Sequence, residues 1–93
     1  MSNNLFVSYD LCKPNQNYND VIAEIKMLGD WAKVHQSLWY VNSSLSAQEA
    51  AERVWAKMDS NDKLIVVNAS ANDAQWYNLS DEVAKYIQEK WPL

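Results

Sequence analysis

The stretch Leu5-Phe6-Val7-Ser8-Tyr9-Asp10-Leu11 decides the fold. Its odd positions (Leu5, Val7, Tyr9, Leu11) are apolar, and its even positions (Phe6, Ser8, Asp10) mostly are not. A strand sends alternate side chains to opposite faces. This spacing therefore predicts a first and central strand with one face in the core. Its other face carries a carboxylate, Asp10, close to the strand's C-terminal end.

Downstream, Lys13 to Asn17 reads as a loop by composition. Tyr18, Val21, Ile22, Ile25 and Leu28 then fall on one helical face, which predicts a helix from Tyr18 to Leu28. Asn17 is its expected N-cap, and Asp20 suits the positive end of the helix. Gly29, the only glycine, is expected to end it in the left-handed C′ conformation. Two strands are predicted next, Asp30 to Val34 and Ser37 to Val41. The His35-Gln36 turn between them lacks an Asn-Gly signal, so a bulge or irregular hairpin is expected. In the second of these strands Leu38 and Tyr40 share one face, while Ser37, Trp39 and Val41 share the other.

Ser46-Ala47-Gln48-Glu49 matches a capping box, in which Ser46 and Glu49 satisfy each other's free amides. The helix it opens should bury Ala47, Ala50, Ala51, Val54, Trp55 and Met58. Asp59 to Asp62 is a turn, and Lys63 to Val67 a fourth strand with four apolar residues in a row. Such a run predicts cover on both faces, by helices on one side and by another subunit on the other. Ala74 to Tyr77 is a short extra strand. Ser80 caps a last helix whose apolar side is Val83, Ala84, Ile87 and Trp91, and Pro92 stops it. The order strand, helix, strand, strand, helix, strand is the ferredoxin-like βαββαβ pattern, with a C-terminal strand and helix appended. The class is α/β in composition, α+β in arrangement. Right-handed crossovers put both helices on one face and leave the other open for dimerisation.

Ninety-three residues make one domain, spanning 1–93. Twelve acids against eight bases give a net charge of −4, with the lysines scattered and Arg53 the only arginine. Nucleic-acid binders gather cations into a patch, so general nucleic-acid binding is not expected. Cys12 is the only cysteine, which excludes an internal disulfide and cysteine-rich zinc sites. Met1 to Asn4 is polar, no apolar run of signal-peptide length follows, and none reaches membrane-span length. The expected compartment is cytoplasmic. One glycine cannot build a phosphate-binding loop, and one histidine cannot supply a histidine cluster or a credible Ser-His-Asp arrangement.

Three segments together resemble a known family. They are Ser8-Tyr9-Asp10-Leu11 closing the first strand, His35-Gln36-Ser37-Leu38-Trp39, and the acidic turn Asp59-Ser60-Asn61-Asp62 before Lys63-Leu64-Ile65-Val66. In that order the chain resembles the SinR-like proteins and the small CRISPR-associated adaptation protein, the second of the Cas series. The second segment lacks one residue of the family's Gln-x-Ser-Val-aromatic strand. The resemblance implies a ferredoxin-like homodimer with the open sheet faces meeting. Some members are metal-dependent nucleases, and the virulence-associated protein D relative is a ribonuclease of similar shape. Asp10 is the one residue that carries over to their metal-binding role, paired with Asp10 of a second copy. The acidic balance and single arginine depart from what a nuclease needs.

Two functional expectations follow. The first is a non-catalytic homodimeric binding protein that takes a partner protein or a small nucleotide, in a prokaryotic or phage defence or counter-defence setting implied by the resemblance. Its ligand surface is expected at Trp39, Ser37, Gln36, Trp76 and Tyr77. Five tryptophans are many for this length, and aromatics on an open sheet serve protein interfaces or base stacking alike. The alternative is a Mg²⁺-dependent endoribonuclease built on paired Asp10. The structural reading of Asp10 is a strand-end carboxylate accepting backbone amides. A Cys12–His35 thiolate pair has no third orienting group, and His35 reads as a turn residue.

Overall fold

A computed structural model of the chain describes residues 2–12 and 18–91. The expected Lys13–Asn17 loop, the Asn17 cap, the Tyr18 side chain and the Pro92 stop lie outside them. Strand β1 (Asn3–Asp10) buries Leu5, Val7 and Tyr9 and turns Phe6, Ser8 and Asp10 the other way. Its neighbours are β3 (Leu38–Ser43) and β4 (Lys63–Asn68), both antiparallel to it. Strand β2 (Asp30–His35) pairs with β3, and β5 (Asp73–Tyr77) pairs with β4. The sheet runs β2-β3-β1-β4-β5, antiparallel throughout.

Cross-strand register fixes which residues share the buried face. Val7 sits between Trp39 and Val66, Leu5 opposite Val41, and Tyr9 opposite Leu64. These strand residues form one cluster with Val21, Ile25 and Leu28 of α1 (Tyr18–Met27) and Ala47, Ala50, Ala51 and Val54 of α2 (Ala47–Trp55). Both helices therefore lie on the Leu5-Val7-Tyr9 face. Three alanines in α2 let its backbone come close to the sheet, and Trp55 and Met58 pack at the margin. Arg53 joins α2 to α1 through Glu24 at 3.0 Å.

The predicted capping box is present. Ser46 Oγ accepts the Glu49 amide at 3.1 Å, and Glu49 Oε1 accepts the Ser46 amide at 3.0 Å. The irregular hairpin is present too. The β2–β3 register shifts between Lys33 and His35, with Gln36 and Ser37 at the turn.

Gly29 ends α1 for a different reason than expected. Its φ is not positive, so left-handed freedom is not what it supplies. A Cβ at this position would collide with the carbonyl oxygen of Asn42 in β3. The helix exit passes directly over a strand, and only a residue without a side chain fits. Next to it, Ser43 Oγ donates to the Leu28 carbonyl at 2.6 Å and accepts the Leu45 amide at 3.1 Å.

Helix α3 (Asp81–Lys90) is capped by Ser80, whose Oγ accepts the Val83 amide at 3.2 Å. It buries no side chain completely. It leans on β5, where Gln88 and Trp91 meet Asp73, Ala74 and Trp76 around a small recess. The Trp91 indole N–H donates to the Asn72 carbonyl at 2.9 Å. No helix among the described residues is long and apolar enough to cross a membrane.

Candidate functional site

Alternation along the strands places a second set of side chains opposite α1 and α2, with α3 beside its β5 end. Tyr40, Phe6, Val67 and Ala74 form one row across β3, β1, β4 and β5. Leu38, Ser8, Ile65 and Trp76 form the next. Each is half-buried or partly exposed, and Phe6 reaches 37% exposure. The Phe6 and Tyr40 rings meet at 5.5 Å with a tilt of 57°, and the Tyr40 hydroxyl donates to Asn4 Oδ1 at 2.6 Å. The result is a nearly unbroken apolar strip, interrupted only by the Ser8 hydroxyl. Polar residues bound it at both ends: Asn4, Asn42 and Asp30 at one, Asp10 and Lys63 at the other.

Asp10 and Lys63 face each other across β1 and β4. Two adjoining recesses share Ser8, Tyr9 and Asp10. One, of about 400 Å³, also takes in Leu11 and Ser37. The other, of about 160 Å³, takes in Lys63, Leu64, Ile65 and Leu79. Asp10 is exposed at this rim. Among the described residues no group of three or more metal-ligating side chains comes together. A hard divalent cation wants several oxygen donors, and an ammonium on the neighbouring strand opposes it. A single chain therefore brings one carboxylate, Asp10, to this rim, with Lys63 as its cross-strand neighbour.

The expected ligand residues separate. Trp39 is the main correction: it lies on the helix face at 2% exposure, not on the open one. It is the largest fully buried side chain, and its indole N–H donates to the Tyr9 hydroxyl at 3.4 Å. Tyr77 likewise faces α2, where it stacks on Trp55 at 4.8 Å and 5°. Trp76, one residue earlier, is left on the open face. Gln36 and Ser37 act here through their main chains. The Gln36 carbonyl accepts the Tyr9 hydroxyl and the Ser37 carbonyl accepts the Tyr9 amide, both at 3.1 Å.

Asp62 is the residue whose role the sequence does not announce. It is fully buried. Its Oδ1 accepts the Cys12 amide and its Oδ2 the Asp59 amide, each at 2.8 Å. Its own carbonyl accepts Asn78 Nδ2 at 2.8 Å. Asn78 has a φ of 64°, a left-handed conformation that asparagine tolerates. The exit of β1, the α2–β4 turn and the β5–α3 connection are thus pinned together beneath the Asp10 rim. Nothing in Asp59-Ser60-Asn61-Asp62 distinguishes the second aspartate from the first.

No family model, curated protein or solved structure matches the chain.

Proposed function

We propose that this chain is a non-catalytic binding protein that works as a homodimer joined through the open sheet face. The observation behind this reading is the Tyr40-Phe6-Val67 and Leu38-Ile65-Trp76 strip, apolar across four strands and left uncovered by α1 and α2. Contiguous exposed apolar surface of this kind marks an interaction site. A second copy is the fitting occupant because the centre of the strip is uncharged, so a chain of net charge −4 can stack on itself there. Four strands spaced ~4.8 Å apart and about six residues long give a footprint of roughly 380 Å² per copy. Side-chain relief and the flank of α3 add to that. Two copies then approach the ~1,000 Å² at which specific interfaces begin. The order β2-β3-β1-β4, with α1 and α2 on one face, supports a ferredoxin-like arrangement extended by β5 and α3.

Between the expected ligand classes, a partner protein is favoured over a nucleotide. Base stacking needs accessible rings, and Trp39 and Tyr77 face the helices. Sedimentation and native mass spectrometry test the reading. The wild type is expected as a dimer, and Phe6→Glu as a folded monomer with unchanged circular dichroism. A wild type that stays monomeric at its highest soluble concentration overturns the dimer.

A further inference from the structure

At the far edge of the sheet, away from the proposed dimer face, β2 is exposed along its whole length. It is an edge strand, hydrogen-bonded only to β3, so alternate backbone amides and carbonyls point outward. Trp31 is 46% exposed and Met27 68%. The Lys26 ammonium lies 4.5 Å from the centre of the Trp31 ring and 5.9 Å from that of Trp39. The Lys33 ammonium lies 5.7 Å from the Trp39 ring. Among the described residues no carboxylate forms an ion pair with either lysine, the Arg53–Glu24 pair lying elsewhere. Two unneutralised ammonium groups and an exposed indole therefore converge beside an open strand edge.

We propose that this edge is a docking site for an extended acidic segment of a partner protein, added as a sixth strand beside β2. Strand addition takes its affinity from main-chain hydrogen bonds and its selectivity from alternate side chains. Before the bulge that follows Lys33, the regular stretch is Asp30 to Lys33. On its helix-facing side it offers Trp31 and Lys33, two residues apart. An antiparallel incoming strand meets Lys33 first and Trp31 two residues later. The segment that fits reads acidic–x–apolar, with its carboxylate between Lys33 and Lys26 and its apolar side chain against the indole. A small residue, Ala32, faces the other way and leaves room for x.

Charge argues against the alternative occupants. Pairing β2 with β2 of a second copy would gather two Lys26 and two Lys33 ammonium groups at one seam, and like charges there cost affinity. A single-stranded nucleic acid has no peptide backbone to pair with the outward amides and carbonyls of β2, which strand addition uses. This inference rests on the reading of the chain as a binding protein, but not on its dimer.

The test is a titration of isotope-labelled protein with the synthetic peptide Thr-Thr-Glu-Val-Phe-Thr, followed by amide shifts. Expected are shifts confined to Asp30–Lys33 and the Lys26–Met27 corner, slower amide exchange in β2, and loss of the response in high salt. Lys33→Glu should weaken binding by roughly fivefold or more, the scale of an exposed charge pair reversed, and Trp31→Ala should weaken it without unfolding the sheet. The Phe6→Glu variant must bind the peptide as the wild type does, which separates this site from the dimer face. Equal binding of a control with Lys in place of Glu overturns the proposal. So do shifts centred elsewhere, self-association through β2, or oligothymidine binding at the same residues.

Discussion

The Asp62 carboxylate accepts the Cys12 backbone amide at 2.8 Å, closing a loop of 50 residues in sequence separation. With the Asp59 amide on its other oxygen, this buried side chain holds two chain segments together. Asp62→Ala would remove the acceptor from both part-buried amides. A charged acceptor contributes about 1.5–3 kcal/mol per bond, so the variant is expected to lose ~3 kcal/mol or more. That is a large share of the ~5–15 kcal/mol typical of a small domain. Urea denaturation of the variant measures it, and a loss under ~1 kcal/mol would show that the carboxylate is dispensable.

Trp39 fills the middle of the core between Val7, Trp31 and the Tyr9 hydroxyl. Trp39→Ala should cost ~3–5 kcal/mol, as large aromatic truncations do. Trp39→Phe should cost less, since most of the ring volume stays. Thermal melts compare the two. A Trp39→Ala protein with wild-type stability would mean that the residue sits outside the core after all.

Gly29→Ala sets a methyl group against the Asn42 carbonyl oxygen. The obstacle is main chain and cannot rotate away, so α1 or β3 must shift. The expected loss is ~1–3 kcal/mol, with faster amide exchange at the α1 end and in β3. Improved stability, the usual effect of replacing a flexible glycine, would contradict the close approach.

Phe6→Glu bears on the open face from the thermodynamic side. If two copies meet there, the wild-type melting temperature rises with protein concentration, because association stabilises the folded form by mass action. The variant's should not. Melts across a dilution series decide it, and a wild type indifferent to dilution counts against the interface.

Much of the fold was legible because it rests on local patterns. The β1 alternation, the Ser46–Glu49 box, the bulged hairpin and the Ser80 cap each draw on a few adjacent residues. What failed is instructive. In β3, period two separates Trp39 and Val41 from Leu38 and Tyr40, but both sets are apolar, so alternation alone cannot say which faces inward. The register against β1, with Val7 opposite Trp39, settles it. Trp76 and Tyr77 are expected on one ligand surface, but neighbours in a strand point to opposite faces, and Tyr77 turns to Trp55 of α2. Asp62 was invisible for another reason: its burial arises where three chain segments meet, and no window of sequence contains all three.

Helix α3 brings ten residues of ordered backbone without one completely buried side chain, and leaves Val83 and Tyr86 47% and 63% exposed. A helix this short is marginal without tertiary support, so it should fray long before the sheet melts. Asn78, anchored to the Ser60 and Asp62 carbonyls, is the last such tie before this helix, and the seam where the cooperative unit ends is expected there. Proteolysis just past that seam would trim the chain while leaving its unfolding transition almost where it was.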